Sequence, residues 1–225
     1  MNLLEHFITI IAPHECLSCG LEGQLVCAKC RDQYILPLPP RCYKCSRLSA
    51  DWRVCSACRK NKSPLRTVAV CTQYEGLPKE IMHVLKFERA SAAAQTIAEC
   101  LDPMQKYFDE SCLITEVPTA SSRRRQRGYD QAQLIAKAYA KQTNTTYTPF
   151  LWRMGNTRQV GMDRATRFTQ AQSMFRVRNP NTLRGQHIIL VDDVLTTGAT
   201  IEAAARCLRL AGAASVSAIL FAHRT

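Results

Sequence analysis

The stretch 188–200 of this chain holds no lysine. That removes the lysine-bearing P-loop from consideration at the one place where a strand, a small-residue turn and a helix are expected in succession. Nowhere does an apolar run approach the roughly eighteen residues that span a bilayer, so no helical membrane segment is expected. Internal repeats and low-complexity tracts are also missing, which excludes solenoids and long disordered linkers. Met1 to His6 carries no basic segment and no small-residue cleavage site follows Ile11, so no export signal is read there. Residues 3–12 are instead expected as a short amphipathic helix, without the basic face of an interfacial anchor. Acidic residues are scarce: 18 Asp and Glu stand against 30 Lys and Arg, a net charge of +12 that favours anionic partners.

What is present begins with cysteine. Eight of the 12 cysteines form four successive Cys-x-x-Cys pairs: Cys16 and Cys19, Cys27 and Cys30, Cys42 and Cys45, Cys55 and Cys58. Two-residue spacing lets both sulfurs of a pair face one tetrahedral metal, and two pairs complete a four-cysteine site. Eight thiolates therefore imply two structural Zn²⁺ ions. Disulfides would need an oxidising compartment, and the regular pairing suits separate ribbons better than one iron–sulfur cluster. Consecutive pairing closes the shorter loops and is preferred to an interleaved, cross-braced arrangement. Cys71, Cys100, Cys112 and Cys207 are scattered in apolar surroundings and read as core filler.

The first sixty-two residues carry too little apolar surface to fold without metal, and Lys62-Ser63-Pro64-Leu65 reads as a linker. The expected organisation is a double zinc ribbon over 1–62 and a larger domain over 63–225. Residues 1–62 hold nine Lys/Arg and five Asp/Glu, so the ribbon is nearly neutral once its thiolates hold zinc. The basic excess belongs to the larger domain, and much of it lies in one solvated loop, Arg123-Arg124-Arg125-Gln126-Arg127. There, arginine forks can meet phosphate.

The larger domain alternates in the α/β manner. Strands are expected at 67–71, 112–117, 175–177, 188–191 and 214–221. Helices are expected at 77–87, 91–107, 131–142 (capped by Asp130) and 201–211, and a mobile basic loop at 151–172. Within 188–200, four apolar residues are followed by Asp192 and Asp193 at the expected strand end, then by a turn with Thr196, Thr197 and Thr200 around Gly198. Backbone amides at such a turn and the helix dipole behind it favour an anion, while two carboxylates suit the 2′- and 3′-hydroxyls of a ribose. Acid pair on the ribose and hydroxyl-rich loop on its 5′-phosphate is the recognition logic for phosphoribosyl pyrophosphate (PRPP). At these residues the segment resembles the PRPP motif of type I phosphoribosyltransferases. That resemblance implies a parallel sheet flanked by helices, with PRPP held by Asp192, Asp193, Val194, Leu195, Thr196, Thr197, Gly198, Ala199 and Thr200.

The whole chain resembles the ComF/GntX family. The likeness rests on the four cysteine pairs, Leu85-Lys86-Phe87, Val117-Pro118, Arg127-Gly128-Tyr129-Asp130-Gln131, Thr157-Arg158-Gln159, Arg167, Phe175 and the 188–200 motif. It implies a link to natural competence and use of external DNA, with single-stranded DNA and a competence helicase as partners. It also implies a cytoplasmic location that includes the periphery of the inner membrane. The chain departs from the family at Tyr129 and Asp130, where Phe and Asn are usual, and at Gln170, usually Asn. An Asp facing pyrophosphate would weaken binding. If the chain is an enzyme, PRPP would come with Mg²⁺, since magnesium prefers phosphate oxygens. Asp192 and Asp193 would stabilise positive charge at the ribose C1. Arg127 and Lys86 would neutralise the leaving group, and Arg158 would close over it. No base-binding signature names an acceptor. A PRPP sensor without turnover, and a DNA-handling adaptor using Tyr34, Tyr43 and Trp52 of the ribbons, are the competing readings.

Overall fold

A computed structural model of the chain describes residues 14–88, 90–109, 111–154 and 174–224. The helix expected at 3–12, and Arg158, Arg167 and Gln170, lie outside these residues. In chain order the elements are α1 (Ala28–Tyr34), α2 (Ser56–Lys60), β1 (Val68–Gln73), α3 (Gly76–Phe87), α4 (Ala90–Leu101) and β2 (Leu113–Glu116). Then come α5 (Ser121–Arg127), α6 (Gln131–Gln142), β3 (Leu151–Arg153), β4 (Phe175–Val177), α7 (Pro180–Leu183), β5 (His187–Leu195), α8 (Ala199–Leu210) and β6 (Ser215–His223).

Four strands form one parallel sheet in the order β1-β6-β5-β2. The run Ile188 to Val191 is buried throughout, as the two-sided burial of a parallel strand requires. Helix α4 packs on both α3 and α6, α6 also contacts β2 and β5, and α8 packs on β5 and β6. Asp130 caps α6 as expected, accepting from the Gln133 N–H at 3.3 Å.

Three expectations are corrected. The Ala-rich helix stops at Leu101 and continues only as a 3-10 segment, Asp102–Tyr107, because Pro103 cannot donate an α-helical hydrogen bond. The arginine-rich loop is a helix, α5, closed by Gly128 in the left-handed conformation at φ 81°. The first residues of the expected loop at 151–172 are β3, paired antiparallel with β4, because Leu151 and Phe175 bury their side chains across the pair.

The cysteine-rich segment is attached to the sheet and does not dangle from it. Leu38 N donates to Cys71 O at 3.1 Å and Arg53 bridges Thr67, so this segment covers the outer edge of β1. Leu25, Val26, Trp52 and Val54 are buried in the same apolar cluster as the sheet.

Candidate functional site

The cysteines fall into two groups of four, Cys16/Cys19/Cys27/Cys30 and Cys42/Cys45/Cys55/Cys58, with the sulfurs of each group within 4.8 Å of one another. This is the consecutive pairing. Cys19 and Cys27 stand 3.8 Å apart and Cys45 and Cys55 3.7 Å apart. A tetrahedron with metal–sulfur bonds of about 2.3 Å has edges of about 3.8 Å, so the donor sets fit zinc. Burial opposes ionisation of Cys16, yet the N–H groups of Cys27, Cys19 and Ser18 outweigh it and bring the thiol down to about 6. At Cys42 burial is likewise outweighed by the N–H groups of Cys55, Lys44 and Cys45, leaving the thiol at about 7. Both knuckles therefore present a sulfur ready to bind as thiolate. Cys71, Cys100 and Cys112 are buried and Cys207 half-buried, and burial alone pushes the Cys71 thiol up to about 12.

At the opposite end of the chain, β5 does not stop at Val191. It runs through both carboxylates to Leu195, because β6 is long enough to keep pairing: Asp192 lies beside Leu220, Val194 beside Ala222 and Leu195 beside His223. Each carboxylate is tied locally, Asp192 accepting from Asp193 N at 2.9 Å and Asp193 from Val194 N at 2.7 Å. Exposed Thr196 and Thr197 follow, then Gly198 at φ 76° directly before the twelve residues of α8. The first-turn amides of a helix that long have no intrahelical acceptor and carry the positive end of its dipole. Burial raises the Asp192 carboxyl well above the ordinary range, and the neighbouring Asp193 and Asp130 charges add to the rise.

At the carboxyl end of β2, the neighbour of β5, lies a cleft of about 570 Å³, bordered by Glu116, Arg124, Arg125, Asp130, Arg153 and Arg178. Arg153 reaches it from β3, donating to Pro118 O at 3.2 Å, with its charge felt by Asp192 and Asp130. The Asp130 oxygens are engaged by Thr119 N at 2.9 Å and Thr119 Oγ1 at 3.0 Å, which commits that carboxylate to holding the 118–120 turn. Glu116, buried at the end of β2, accepts from the Tyr147 hydroxyl at 2.9 Å; burial raises its carboxyl. Trp152 is 55% exposed with the Arg178 guanidinium 4.0 Å from its ring centre.

The motifs that hold Lys86 and Arg127 meet. Lys86 lies over Tyr74, Arg127 over the Phe87 ring at 5.4 Å, and the Tyr129 hydroxyl donates to Leu85 O at 2.7 Å. The distant motifs at 85–87 and 127–129 thus form one contact. The Nε of Arg127 is shielded from solvent with no acceptor among the described residues.

Residues 131–225 match the family described as phosphoribosyl transferase domain. Competence protein ComFC of Bacillus subtilis (strain 168) is 29% identical over 203 residues, covering 85% of this chain and 81% of that protein. DNA utilization protein YhgH of Salmonella typhi is 28% identical over 170 residues, covering 72% of this chain and 74% of that one. Together these matches support the resemblance of the chain to the ComF family. Among solved structures, glutamine PRPP amidotransferase from B. subtilis overlaps 58% of this chain with a TM-score of 0.44 at 21% identity. The overlap spans 26% of that protein's chain and is a partial likeness only.

The sequence did not single out Arg153, Glu116, Tyr147 or Arg178. Arg153 and Arg178 sit in or next to three-residue strands whose pairing skips the intervening segment, and no periodicity reveals so short a ladder. Glu116 was readable only as the polar end of a buried strand.

Proposed function

We propose that the chain binds PRPP at the end of β5 and serves a role in competence or DNA utilisation, as its relatives' names describe for them. One juxtaposition carries the reading: two adjacent carboxylates at a parallel-strand end, then a threonine turn and Gly198 against the N-terminus of a twelve-residue helix. Ligands of open α/β sheets collect at that carboxyl edge. Asp192 and Asp193 hold the ribose hydroxyls, and the amides of 196–200 with the Thr196 and Thr197 hydroxyls hold the 5′-phosphate. Arg153 and Arg127 supply positive charge for pyrophosphate, Arg127 gaining an acceptor for its shielded Nε. Lys86 and Arg158 complete the charge set of the phosphoribosyltransferase reading. Asp192 and Asp193 are the residues that would hold Mg²⁺, which would neutralise phosphate charge. The two cysteine groups hold structural zinc, and residues 1–62 and 63–225 are the ribbon module and the ligand-binding domain. Reduced thiolate sites suit the cytoplasm.

Single-stranded nucleic acid as a second ligand is favoured by Trp152, an exposed ring stacked on Arg178 at the mouth of a cleft carrying Arg124 and Arg125. An aromatic plane within a basic groove takes bases of any sequence. Isothermal titration with PRPP and Mg²⁺, followed by pyrophosphate-release assays across nucleobases and single-stranded DNA, tests both readings. Saturable PRPP binding with release makes the chain a transferase, and binding without release makes it a sensor. No heat of binding removes the PRPP assignment.

A further inference from the structure

The two cysteine groups have different neighbours. The first sits against α3 and α4: α1 contacts α3, and Arg31 pairs with Glu99 of α4 at 3.0 Å. The second touches the phosphate loop itself. Its knuckle, Cys42-Tyr43-Lys44-Cys45, puts two side chains between two metal ligands, and both face α8. The Tyr43 hydroxyl donates to Glu202 Oε1 at 2.6 Å and lies 2.9 Å from Ser63 Oγ, while Lys44 Nζ reaches the same Glu202 oxygen at 3.0 Å. The Tyr43 ring also closes on Gly198: a Cβ built there would stand 3.0 Å from Cδ2 and 3.1 Å from Cε2. Gly198 is therefore held twice, by a positive φ that only glycine adopts cheaply and by a ring that would have to shift to admit a side chain.

Glu202 is the acid in the first turn of α8. Isolated, a carboxylate there suits the helix dipole; beside a bound phosphate it is a like charge within a few ångströms, and repels it. Tyr43 and Lys44 pull this carboxylate toward the knuckle and offset its charge. They can do so only while the turn between Cys42 and Cys45 keeps its shape, which is what two sulfurs on one ion impose.

We infer that Tyr43 and Lys44 are positioning residues for the phosphate loop, so that metal loading of the second cysteine group, and not of the first, sets the order of residues 196–202 and their affinity for a phosphoribosyl ligand. The ligand half of this statement rests on the PRPP reading above; the loop-order half does not. Loss of metal or oxidation at Cys42, Cys45, Cys55 or Cys58 then loosens the Tyr43 ring from Gly198 and frees Glu202. The same damage at the first group leaves the loop intact.

The test compares Cys45→Ser with Cys19→Ser in the full chain, each the exposed cysteine of its group. Zinc content by elemental analysis should fall by one ion in each. Amide hydrogen exchange over 196–202 should quicken about tenfold in Cys45→Ser alone, and PRPP affinity should drop by about the same factor, a coupling of ordinary allosteric size. Adding Glu202→Gln to Cys45→Ser should recover about threefold, because the freed charge is gone. Should Cys45→Ser fail to fold, Tyr43→Phe and Lys44→Ala carry the test in zinc-loaded protein. Each should weaken PRPP binding about three- to fivefold with zinc content unchanged, and the pair should be non-additive. Exchange over 196–202 that is the same in wild type, Tyr43→Phe and Lys44→Ala overturns the coupling. A wild type that binds no PRPP overturns the ligand reading instead, and the exchange comparison still decides the coupling.

Discussion

The two cysteine groups are built from the same parts: a Cys-x-x-Cys knuckle, a second pair at the start of a short helix, and sulfur spacings of 3.8 and 3.7 Å. Their chemistry toward a metal is therefore the same. What differs is the surface each leans on. One rests on helices α3 and α4, and the other on the turn that precedes α8. A metal site's local sequence states what it binds; its neighbours state what that binding can control.

The largest effect should come from breaking the second group outright. Cys42 is fully buried, and Cys42→Ser should release one zinc, open residues 1–62 to limited proteolysis and leave 63–225 resistant. Binding free energy at a structural zinc is folding free energy of about 10–16 kcal/mol, far more than a small ribbon's core supplies. Cys16→Ser should match it in zinc loss and proteolysis but spare the phosphate loop. Equal loss of PRPP binding in both would erase the contrast between the groups.

Next in size is the site itself. Asp193→Ala should weaken PRPP binding by about 1–3 kcal/mol, the cost of removing a partner from buried hydroxyls, with melting temperature and zinc content unchanged. Unaltered affinity in the folded variant would sink the ribose assignment and leave the knuckle contacts purely structural.

Smaller again is a pH effect confined to β5. Burial, then Asp193 and Asp130, raise the Asp192 carboxyl above its unfolded value. A raised acid binds its proton more tightly when folded, so stability is highest below the unfolded carboxylate range and falls as pH climbs through the folded value. Asp192→Asn should flatten the fall in melting temperature across that window. A profile identical to wild type would show that the carboxylate is not held as the geometry describes.

The smallest effect concerns nucleic acid. Binding of single strands should weaken with salt at about −0.7 in log–log slope per phosphate neutralised, and replacing Arg124 and Arg125 by Ala should reduce the slope by about one unit. PRPP should compete. A salt-sensitive affinity that ignores PRPP and survives the double change would move the DNA surface to the ribbons.

Some of this was legible without a structure, because it depends on local rules. Consecutive cysteine pairs close short loops, so their partition into two groups follows from spacing. Four apolar residues before two acids and a Thr-Gly turn identify a buried strand feeding a helix, and Asp130 before a strongly helical run identifies its cap. Other features depend on partners distant in the chain. How far β5 continues past Asp192 was set by the length of β6, not by its own residues. The arginines at 123–127 became a helix whose last member meets Phe87, forty residues upstream. The Arg153 charge is felt at Asp192 only because β3 pairs with β4 across an intervening segment. Most of all, nothing in Cys42-Tyr43-Lys44-Cys45 says that its tyrosine will rest on Gly198 and its lysine on Glu202. Metal ligation is written in spacing, whereas which loop a knuckle touches is decided when the β1 edge is covered and the chain is brought back upon itself.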